Sequence, residues 1–200
     1  MDKNLARHGM SPGEFIAWLG EQEHKYELVD GQPLMMAGAT RRHRRITLSM
    51  TTFFDTQLQG KKCQAFNSDT MVKIPSANGN YRFPDLGVEC GDFRDENSLE
   101  ASEPVLVVEV FSETTEGTDR TRKVEEYKTV STIQYILLVD PNIPEVLFYM
   151  RGDDKNWIFE VKIGLDAVVD MPQIGVALPL HIVYQGLEFY PRPTLVYPQG

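Results

Sequence analysis

The sequence predicts a single domain of the mixed α+β (α/β) class, built around one β-sheet. Short apolar runs such as PVLVVEVFS and IQYILLVD are typical of strands that are covered on both faces. Longer stretches between them space their apolar residues as a helix does. The order along the chain is helix, antiparallel strands, helix, strand and hairpin, which is typical of a sheet with helices packed against it.

The first half of the chain predicts two helices around a strand pair. SPGEFIAWLG begins with Ser11, Pro12 and Glu14, which favour a helix start as cap, first-turn proline and capping-box acid. KYELVDGQPLMMAG predicts two strands joined at a turn over Asp30-Gly31. TRRHRRITLSMTTFFDTQLQG then has the apolar spacing of a longer helix that ends at Gly60.

The second half predicts strands, with one further long helix among them. A strand over residues 63–75, a turn at SANGN and a strand over 85–90 precede the acidic loop GDFRDENSLEASE and the strand PVLVVEV. GTDRTRKVEEYKTVS predicts a helix from Thr118, and IQYILLVD a buried strand. EVLFYMRGDDKNWIFEVKIG predicts a hairpin, and the Pro-rich tail predicts one short helix near residues 181–186.

Length and composition limit the possible classes of protein. The 200 residues, 42% hydrophobic and 24% charged, fit one domain over 1–200, with a core over about 11–150 and a C-terminal extension over 151–200. The formal net charge of -9 disfavours a protein that coats nucleic acid without specificity. No apolar run approaches the length of a membrane span, and no signal segment is evident, so we expect a cytoplasmic protein without a membrane partner.

The two cysteines are the next feature. Cys63 and Cys90 lie far apart in the sequence, and no histidine stands near them at metal-ligand spacing. We therefore expect neither a disulfide nor a zinc site.

One carboxylate, Glu109, stands inside the apolar run PVLVVEVFS. Strand alternation places Val107, Glu109 and Phe111 on one face, with Glu109 near the strand's C-terminal end. An ionised carboxylate in an apolar layer must be paired, protonated, bound to a metal or open to water. From this run alone, a strand-end glutamate that reaches solvent or an arginine is an equally good interpretation.

A second carboxylate, Asp85, follows Pro84 in YRFPDLGVEC. Because proline donates no hydrogen bond to a sheet, the strand is expected to begin at Asp85, beside the end of an antiparallel neighbour. Asp85 and Glu109 can therefore converge and share a cation, and Mg²⁺ favours one or two carboxylates together with waters and phosphate oxygens. The alternative for Asp85 is a turn or cap residue.

The combination of FPD with VVEV resembles the PD-(D/E)XK nuclease superfamily, whose metal-dependent members hydrolyse phosphodiester bonds. In its usual form a lysine follows the second acid by two residues, and here that position is Phe111. The continuation EVFSETTEGTDRTRKVEEYK is similar to the bacterial Uma-two family of restriction endonucleases, in which the lysine lies on the following helix. KYELVDGQ and TIQYILLVDP extend the resemblance, which implies a restriction-endonuclease-like fold with a central mixed β-sheet flanked by helices.

The resemblance implies a set of site residues. Lys123 matches the relocated lysine, and Asp85, Glu109 and Lys123 are then the catalytic residues. The implied metal ligands are Asp85 and Glu109, with the backbone carbonyl of Val110 and with Glu27 acting through a water. A helix from Thr118 would carry Lys123 at the edge of its apolar stripe. The alternative is a solvated Lys123, paired with a neighbouring acid on its helix.

Three other features of the sequence leave alternatives open. Glu27 is either a third acid of the metal site or an exposed strand residue. Asp119 is better explained by its favourable position in the first turn of a helix than by catalysis. The basic cluster RRHRR contains Arg41, Arg42, His43 and Arg45, and is either a solvated helix end or a surface that binds nucleic-acid phosphates.

The expected function is a Mg²⁺- or Mn²⁺-dependent endonuclease that hydrolyses phosphodiester bonds of nucleic acid, with DNA as the expected substrate and a homodimer as the expected assembly. The alternative is a catalytically inactive, dimeric nuclease-fold module that binds or regulates, favoured by the net charge and by Phe111 at the usual lysine position. A weaker third hypothesis is acid/base hydrolysis of a sugar by the two carboxylates.

Overall fold

The computed structural model describes residues 9–36, 38–75, 79–91, 93, 95, 97–111 and 118–189. Within them the helices are Pro12–Leu19 (α1), Arg41–Leu58 (α2), Thr118–Thr129 (α3) and Leu180–Val183 (α4), with a 3-10 turn over Pro172–Ile174. The strands are Tyr26–Val29 (β1), Gln32–Met35 (β2), Gln64–Asn67 (β3), Val72–Ile74 (β4), Asn80–Arg82 (β5), Leu86–Glu89 (β6), Pro104–Val110 (β7), Tyr135–Asp140 (β8), Glu145–Arg151 (β9), Trp157–Ile163 (β10), Val168–Met171 (β11) and Val176–Pro179 (β12).

A six-stranded mixed sheet forms the centre of the fold, in the order β10-β9-β8-β7-β6-β3. Its β7–β8 pair is parallel and its other pairs are antiparallel. α3 lies between β7 and β8 in the chain, as the crossover that a parallel pair requires. A second sheet has the order β2-β1-β5-β4, and β11 and β12 form a separate pair. The predicted mixed α+β class with a central mixed sheet is confirmed.

The central sheet carries apolar side chains on both faces, as the unbroken apolar strands predict. The side chains of Leu106, Val108 and Val110 pack with α2, whereas Val107 and Phe111 pack with α3. Residues from β11, β12 and α4 enter the same cluster as α2. Glu109 alternates onto the α3 face, which fixes the side of the sheet on which it acts.

Local sequence signals explain the N-terminal elements. Ser11 and Glu14 form the predicted capping box of α1, with a 2.8 Å bond from the Ser11 amide to the Glu14 carboxylate. The turn between β1 and β2 requires positive φ at Asp30 (51°) and Gly31 (76°), which these two residue types tolerate. α2 starts at Arg41 after its cap Thr40 and extends to Leu58, as its apolar spacing predicts.

The expectation that Cys63 and Cys90 form no disulfide was wrong. The two residues are joined by a disulfide across a sequence separation of 27 residues. β3 pairs with β6 so that Gln64 lies opposite Glu89, and one step along this ladder Cys63 meets Cys90. Distance in sequence was a poor guide because antiparallel pairing of two strands brings their ends together.

The strand assignments need three further corrections. The predicted strand over residues 63–75 is two strands, β3 and β4, which belong to different sheets. β5 and the β11–β12 hairpin were not predicted, and the predicted tail helix is the shorter α4. Residues 76–78 of the predicted SANGN turn and residues 112–117 between β7 and α3 lie outside the described residues, and nothing is described of the Asp119 side chain.

Candidate active site

Asp85 and Glu109 come together at the end of β7. β6 and β7 pair Leu86 with Val108, and the next step along this antiparallel ladder sets Asp85 beside Glu109. The Asp85 carboxylate (Oδ2) accepts a 2.7 Å hydrogen bond from the amide of Val110. The convergence predicted from the order of the two strands is therefore present. For Val110 the observed contact uses the amide, and the role proposed for its carbonyl stays a prediction.

Lys123 reaches the same point from α3. Its ammonium (Nζ) lies 3.3 Å from Glu109 Oε1 and 3.0 Å from Glu27 Oε1, and the Lys123 side chain is 11% exposed. One turn further along α3, the hydroxyl of Tyr127 donates a 2.7 Å hydrogen bond to Glu109 Oε1. The structure thus places the lysine of the helix, rather than a residue of the strand, beside the second acid.

Glu27 is buried, so its interpretation as an exposed strand residue was wrong. Its carboxylate receives a 2.8 Å bond from Arg82 Nη1 and a 3.2 Å bond from the amide of Phe83, in addition to its contact with Lys123. These partners fix the carboxylate, which in turn holds the Lys123 ammonium beside Glu109. A role for Glu27 in binding a metal through a water stays a prediction.

Arg82, Glu126 and the Tyr127 hydroxyl are polar groups that the sequence analysis did not assign to this site. The Arg82 side chain is fully buried (0% exposed), and its Nε donates a 2.6 Å bond to Glu126 Oε2. Glu126 also accepts a 3.0 Å bond from Arg122 Nε on the outer side of α3. Arg82 therefore joins Glu27 to Glu126 beneath the ammonium of Lys123. The available signal was an arginine directly before FPD, within a segment that proved to be fully buried.

The electrostatics of the site raise the pKa of Glu109 to about 7. Burial is the largest cause, and repulsion from Asp85 and Glu27 adds to it, while the Lys123 ammonium and the Tyr127 hydroxyl oppose it. For Lys123, burial favours the neutral amine, but Glu109 and Glu27 outweigh it and raise the pKa of the ammonium above its ordinary value. Lys123 is therefore charged at neutral pH, whereas Glu109 titrates there.

The raised pKa of Glu109 predicts a dependence of stability on pH. Folded protein retains the Glu109 proton up to about pH 7, whereas the unfolded chain releases it near 4.5, so the contribution of Glu109 to stability declines as pH rises between these values. Glu109→Gln removes the titration and keeps an acceptor for Tyr127. In EDTA, the unfolding free energy of the wild type minus that of the variant should fall by about 1 to 3 kcal/mol between about pH 5 and about pH 8. Urea unfolding at several pH values measures it, and a constant difference would contradict the prediction.

His43 lies closer to the acids than the arginines beside it in the sequence. Its Nε2 is 3.0 Å from Asp85 Oδ2, and its buried Nδ1 has no hydrogen-bond partner among the described residues. Arg42 instead donates to the carbonyls of Pro141 and Glu188, and Arg45 to that of Gln185. The predicted basic cluster thus divides into a histidine at the site, two arginines that bind the backbone of the C-terminal part of the chain, and the exposed Arg41 and Arg44.

The ligand set for a metal would have to be small. Among the described residues, no three His, Cys, Asp or Glu side chains are arranged to hold an ion by themselves. Asp85 and Glu109 are the acids at the strand ends, and the Glu109 side chain keeps 14% of its surface accessible to solvent. An ion held here would take its remaining ligands from water or substrate.

The mixed sheet flanked by helices, with its acidic pair where β6 begins and β7 ends, places the chain in the class of proteins with a nuclease-like fold. A crystal structure from Anabaena variabilis, described as that of "a putative nuclease belonging to DUF820", shares this fold with a TM-score of 0.70. The likeness covers 88% of this chain and 97% of that chain at 18% sequence identity.

The chain belongs to the Uma2 family, described as "Putative restriction endonuclease", and the match spans residues 12–178. The protein slr1290 of Synechocystis is 34% identical over 181 residues, which is 90% of this chain and 94% of that protein. A second Synechocystis protein, sll1609, is 25% identical over 163 residues, or 80% and 92% of the two chains. Both relatives are named as uncharacterized. The resemblance identified from FPD, VVEV and Lys123 is confirmed.

Proposed function

We propose that this protein is a metal-dependent endonuclease that hydrolyses phosphodiester bonds of nucleic acid, with DNA as its substrate. The observation that carries the proposal is the position of the Lys123 ammonium, 3.3 Å from Glu109, which lies beside Asp85 at the strand ends. Two acids and a lysine at one partly accessible point are suited to binding a cation and a phosphate together. Membership of the family supports the same reaction class.

Asp85 and Glu109 would hold Mg²⁺ or Mn²⁺, with the Val110 carbonyl and a water on Glu27 as further ligands. When bound, the ion would activate water and neutralise charge that develops on the phosphate. The Val110 amide orients Asp85, and the Tyr127 hydroxyl orients Glu109, so both acids are fixed before any substrate arrives. Because Glu109 has a pKa of about 7, loss of its proton would favour cation binding as pH rises through neutrality.

Lys123 would bind the scissile phosphate. Its ammonium is charged and is held between Glu27 and Glu109, so it needs little reorganisation to meet an oxygen that gains negative charge. The exposed Arg41 and Arg44 lie at the start of α2, whose His43 contacts Asp85. They would contact phosphates of the nucleic acid on either side of the cleaved bond.

The test is a cleavage assay with purified protein on double-stranded DNA, single-stranded DNA and RNA, each with Mn²⁺, Mg²⁺ or EDTA. We expect cleavage of double-stranded DNA that requires the divalent ion and is lost in EDTA. Calorimetric titration of Mn²⁺ into the protein is the companion measurement, because it detects the ion site without any substrate. Cleavage in EDTA would contradict the proposed chemistry, and preferential cleavage of RNA would replace the proposed substrate.

Lys123→Met should lower the cleavage rate by about 100-fold or more, because the ammonium that meets the phosphate is removed. Both acids remain, so Mn²⁺ binding should persist, but at higher pH than in the wild type, because loss of the Lys123 ammonium raises the pKa of Glu109 further. Lys128→Met is the matched control on the same helix, because Lys128 pairs with Glu125 and lies against Tyr149. A Lys123→Met rate equal to that of the control would remove Lys123 from the mechanism.

A second candidate function is a catalytically inactive module that binds nucleic acid or regulates a partner. It is favoured by the pairing of Lys123 with two carboxylates and by the use of Arg42 and Arg45 as backbone ligands within the protein. This module would bind nucleic acid while showing neither Mn²⁺ uptake in the calorimeter nor cleavage. Mn²⁺ affinity that is abolished by Asp85→Asn would count against it.

A further inference from the structure

The edge strand β10 exposes apolar side chains that the description of the site does not use. β10 pairs with β9 on one side and ends the six-stranded sheet. Phe159 is 51% exposed and Ile163 69% exposed, and Ile158 and Val161 are also exposed, so both faces of the strand present apolar groups. A strand of seven residues with this composition is a ready template for pairing with another chain, which proteins normally prevent or use.

The backbone of β10 determines which groups are available for such pairing. The amide of Gly164 donates to the carbonyl of Pro144, and the amide of Gly152 to that of Asn156. In this register the even-numbered residues of β10 direct their backbone N–H and C=O groups toward β9. By the alternation of an antiparallel ladder, odd-numbered residues direct their N–H and C=O groups away from β9. Along β10 the outward groups therefore belong to Trp157, Phe159, Val161 and Ile163.

We propose that β10 binds β10 of a second copy of this chain in antiparallel orientation, centred on Val161. In this register Val161 lies opposite Val161 of the partner subunit, and Phe159 lies opposite the partner's Ile163. The backbone N–H and C=O groups of all these residues point away from β9. The pairs are therefore of the hydrogen-bonded kind and supply about six backbone hydrogen bonds. The two six-stranded sheets then become one continuous sheet, and each copy has used its own β10 edge, which closes the dimer.

Charge selects this register. Glu160 and Lys162 flank Val161 and form an ion pair within one strand, with 2.6 Å between Nζ and Oε2. In the register centred on Val161, each Glu160 lies opposite the partner's Lys162, in non-hydrogen-bonded pairs where side chains approach most closely. The smallest shift in either direction that keeps the outward groups paired sets Glu160 against the partner's Glu160, or Lys162 against the partner's Lys162, and larger shifts lose the opposite-charge pairs. Both shifted registers place like charges together, which is destabilising.

The proposed surface is separate from the candidate active site. β10 is three strands away from β7 in the sheet, and none of its residues contacts Asp85, Glu109 or Lys123 in the described part of the chain. The dimer therefore does not depend on the proposed nuclease function, and variants in β10 test it alone.

The experiment is sedimentation equilibrium of the full chain together with a charge exchange. Glu160→Lys and Lys162→Glu, made singly, each set like charges opposite one another at two symmetry-related places, and each should raise the dimer dissociation constant about tenfold or more. The double variant Glu160→Lys/Lys162→Glu restores opposite charges and should recover the wild-type constant. Lys73→Glu in the other sheet is the matched control, because the exposed Lys73 belongs to β4 and should leave association unchanged.

Amide hydrogen exchange provides a second readout that distinguishes the occupant of the edge. In the dimer the amides of Phe159, Val161 and Ile163 should be protected, and dilution to the monomer should release them. Three outcomes would overturn the proposal: a wild-type chain that is monomeric at about 100 μM, a double variant that associates no better than the single variants, or protection of these amides in a monomer. The last would mean that the edge is covered by the chain's own residues.

Discussion

Glu109→Ala is expected to lower metal-dependent cleavage by about 1,000-fold or more. If Asp85 and Glu109 hold the ion as proposed, removing one of them forfeits several kcal/mol of charge stabilisation in the transition state, and each 1.4 kcal/mol is a factor of ten in rate. Asp85→Asn should have an effect of the same order, because it removes the charge of the other acid while retaining an oxygen for the Val110 amide. Both losses should appear in Mn²⁺ affinity as well as in rate.

The matched control for these variants is Glu125→Ala. Glu125 lies on α3 near Lys123, is exposed, and pairs with Lys128 rather than with a residue of the site. Thermal unfolding of each variant in EDTA shows whether the fold is retained, and only folded variants enter the comparison. Metal-dependent cleavage that persists at the wild-type rate in folded Glu109→Ala would show that the ion is held elsewhere.

Arg82→Met should lower the free energy of unfolding by about 3 to 5 kcal/mol. The fully buried guanidinium of Arg82 binds Glu27 at 2.8 Å and Glu126 at 2.6 Å, and a water in its place would bring no positive charge. Methionine fills part of the volume but leaves these two carboxylates without the cation between them. Each carboxylate keeps one cation, Lys123 beside Glu27 and Arg122 beside Glu126, so the cost comes from buried negative charge that these two do not fully balance.

Urea unfolding in EDTA measures this loss, with Lys25→Met as the control. Lys25 pairs with Asp69 at the surface, where both side chains are about half exposed or more, so its removal should cost about 1 kcal/mol or less. A loss for Arg82→Met as small as that of the control would mean that Lys123 and Arg122 are enough to balance Glu27 and Glu126. Cleavage by Arg82→Met should also fall, because Glu27 no longer has its fixed position next to Lys123.

The residues that could be predicted from the sequence are those whose signal lies within one element. Glu109 interrupts an apolar strand, and Asp85 follows a proline that starts a strand. Lys123 was identified through the family resemblance, and its position at the edge of a helical stripe only supported it. Each pattern also fixed an orientation, because strand alternation and helical spacing determine which side chains share a face. The central sheet and α2 followed from the same two periodicities.

The parts that sequence reasoning missed depend on contacts between distant segments. Arg82 binds Glu27, 55 residues away in the sequence, and Glu126, 44 residues away. No local sequence pattern predicts either pair. Cys63 and Cys90 are joined because β3 and β6 are neighbours, a fact of sheet order that the sequence does not state. The sequence named His43 with the basic cluster, but not its contact with Asp85 or the contacts of Arg42 and Arg45 with the backbone of later residues.

Phe111 packs against α3, the helix that carries Lys123. The ring occupies the strand position that carries the usual lysine of the nuclease superfamily, and it packs against the cluster that contains Val124 and Tyr127 of α3. Phe111, which stands at the usual lysine position, thus supports α3, the helix that supplies Lys123. Phe111→Lys would set a second ammonium near Glu109 and would withdraw apolar support from α3.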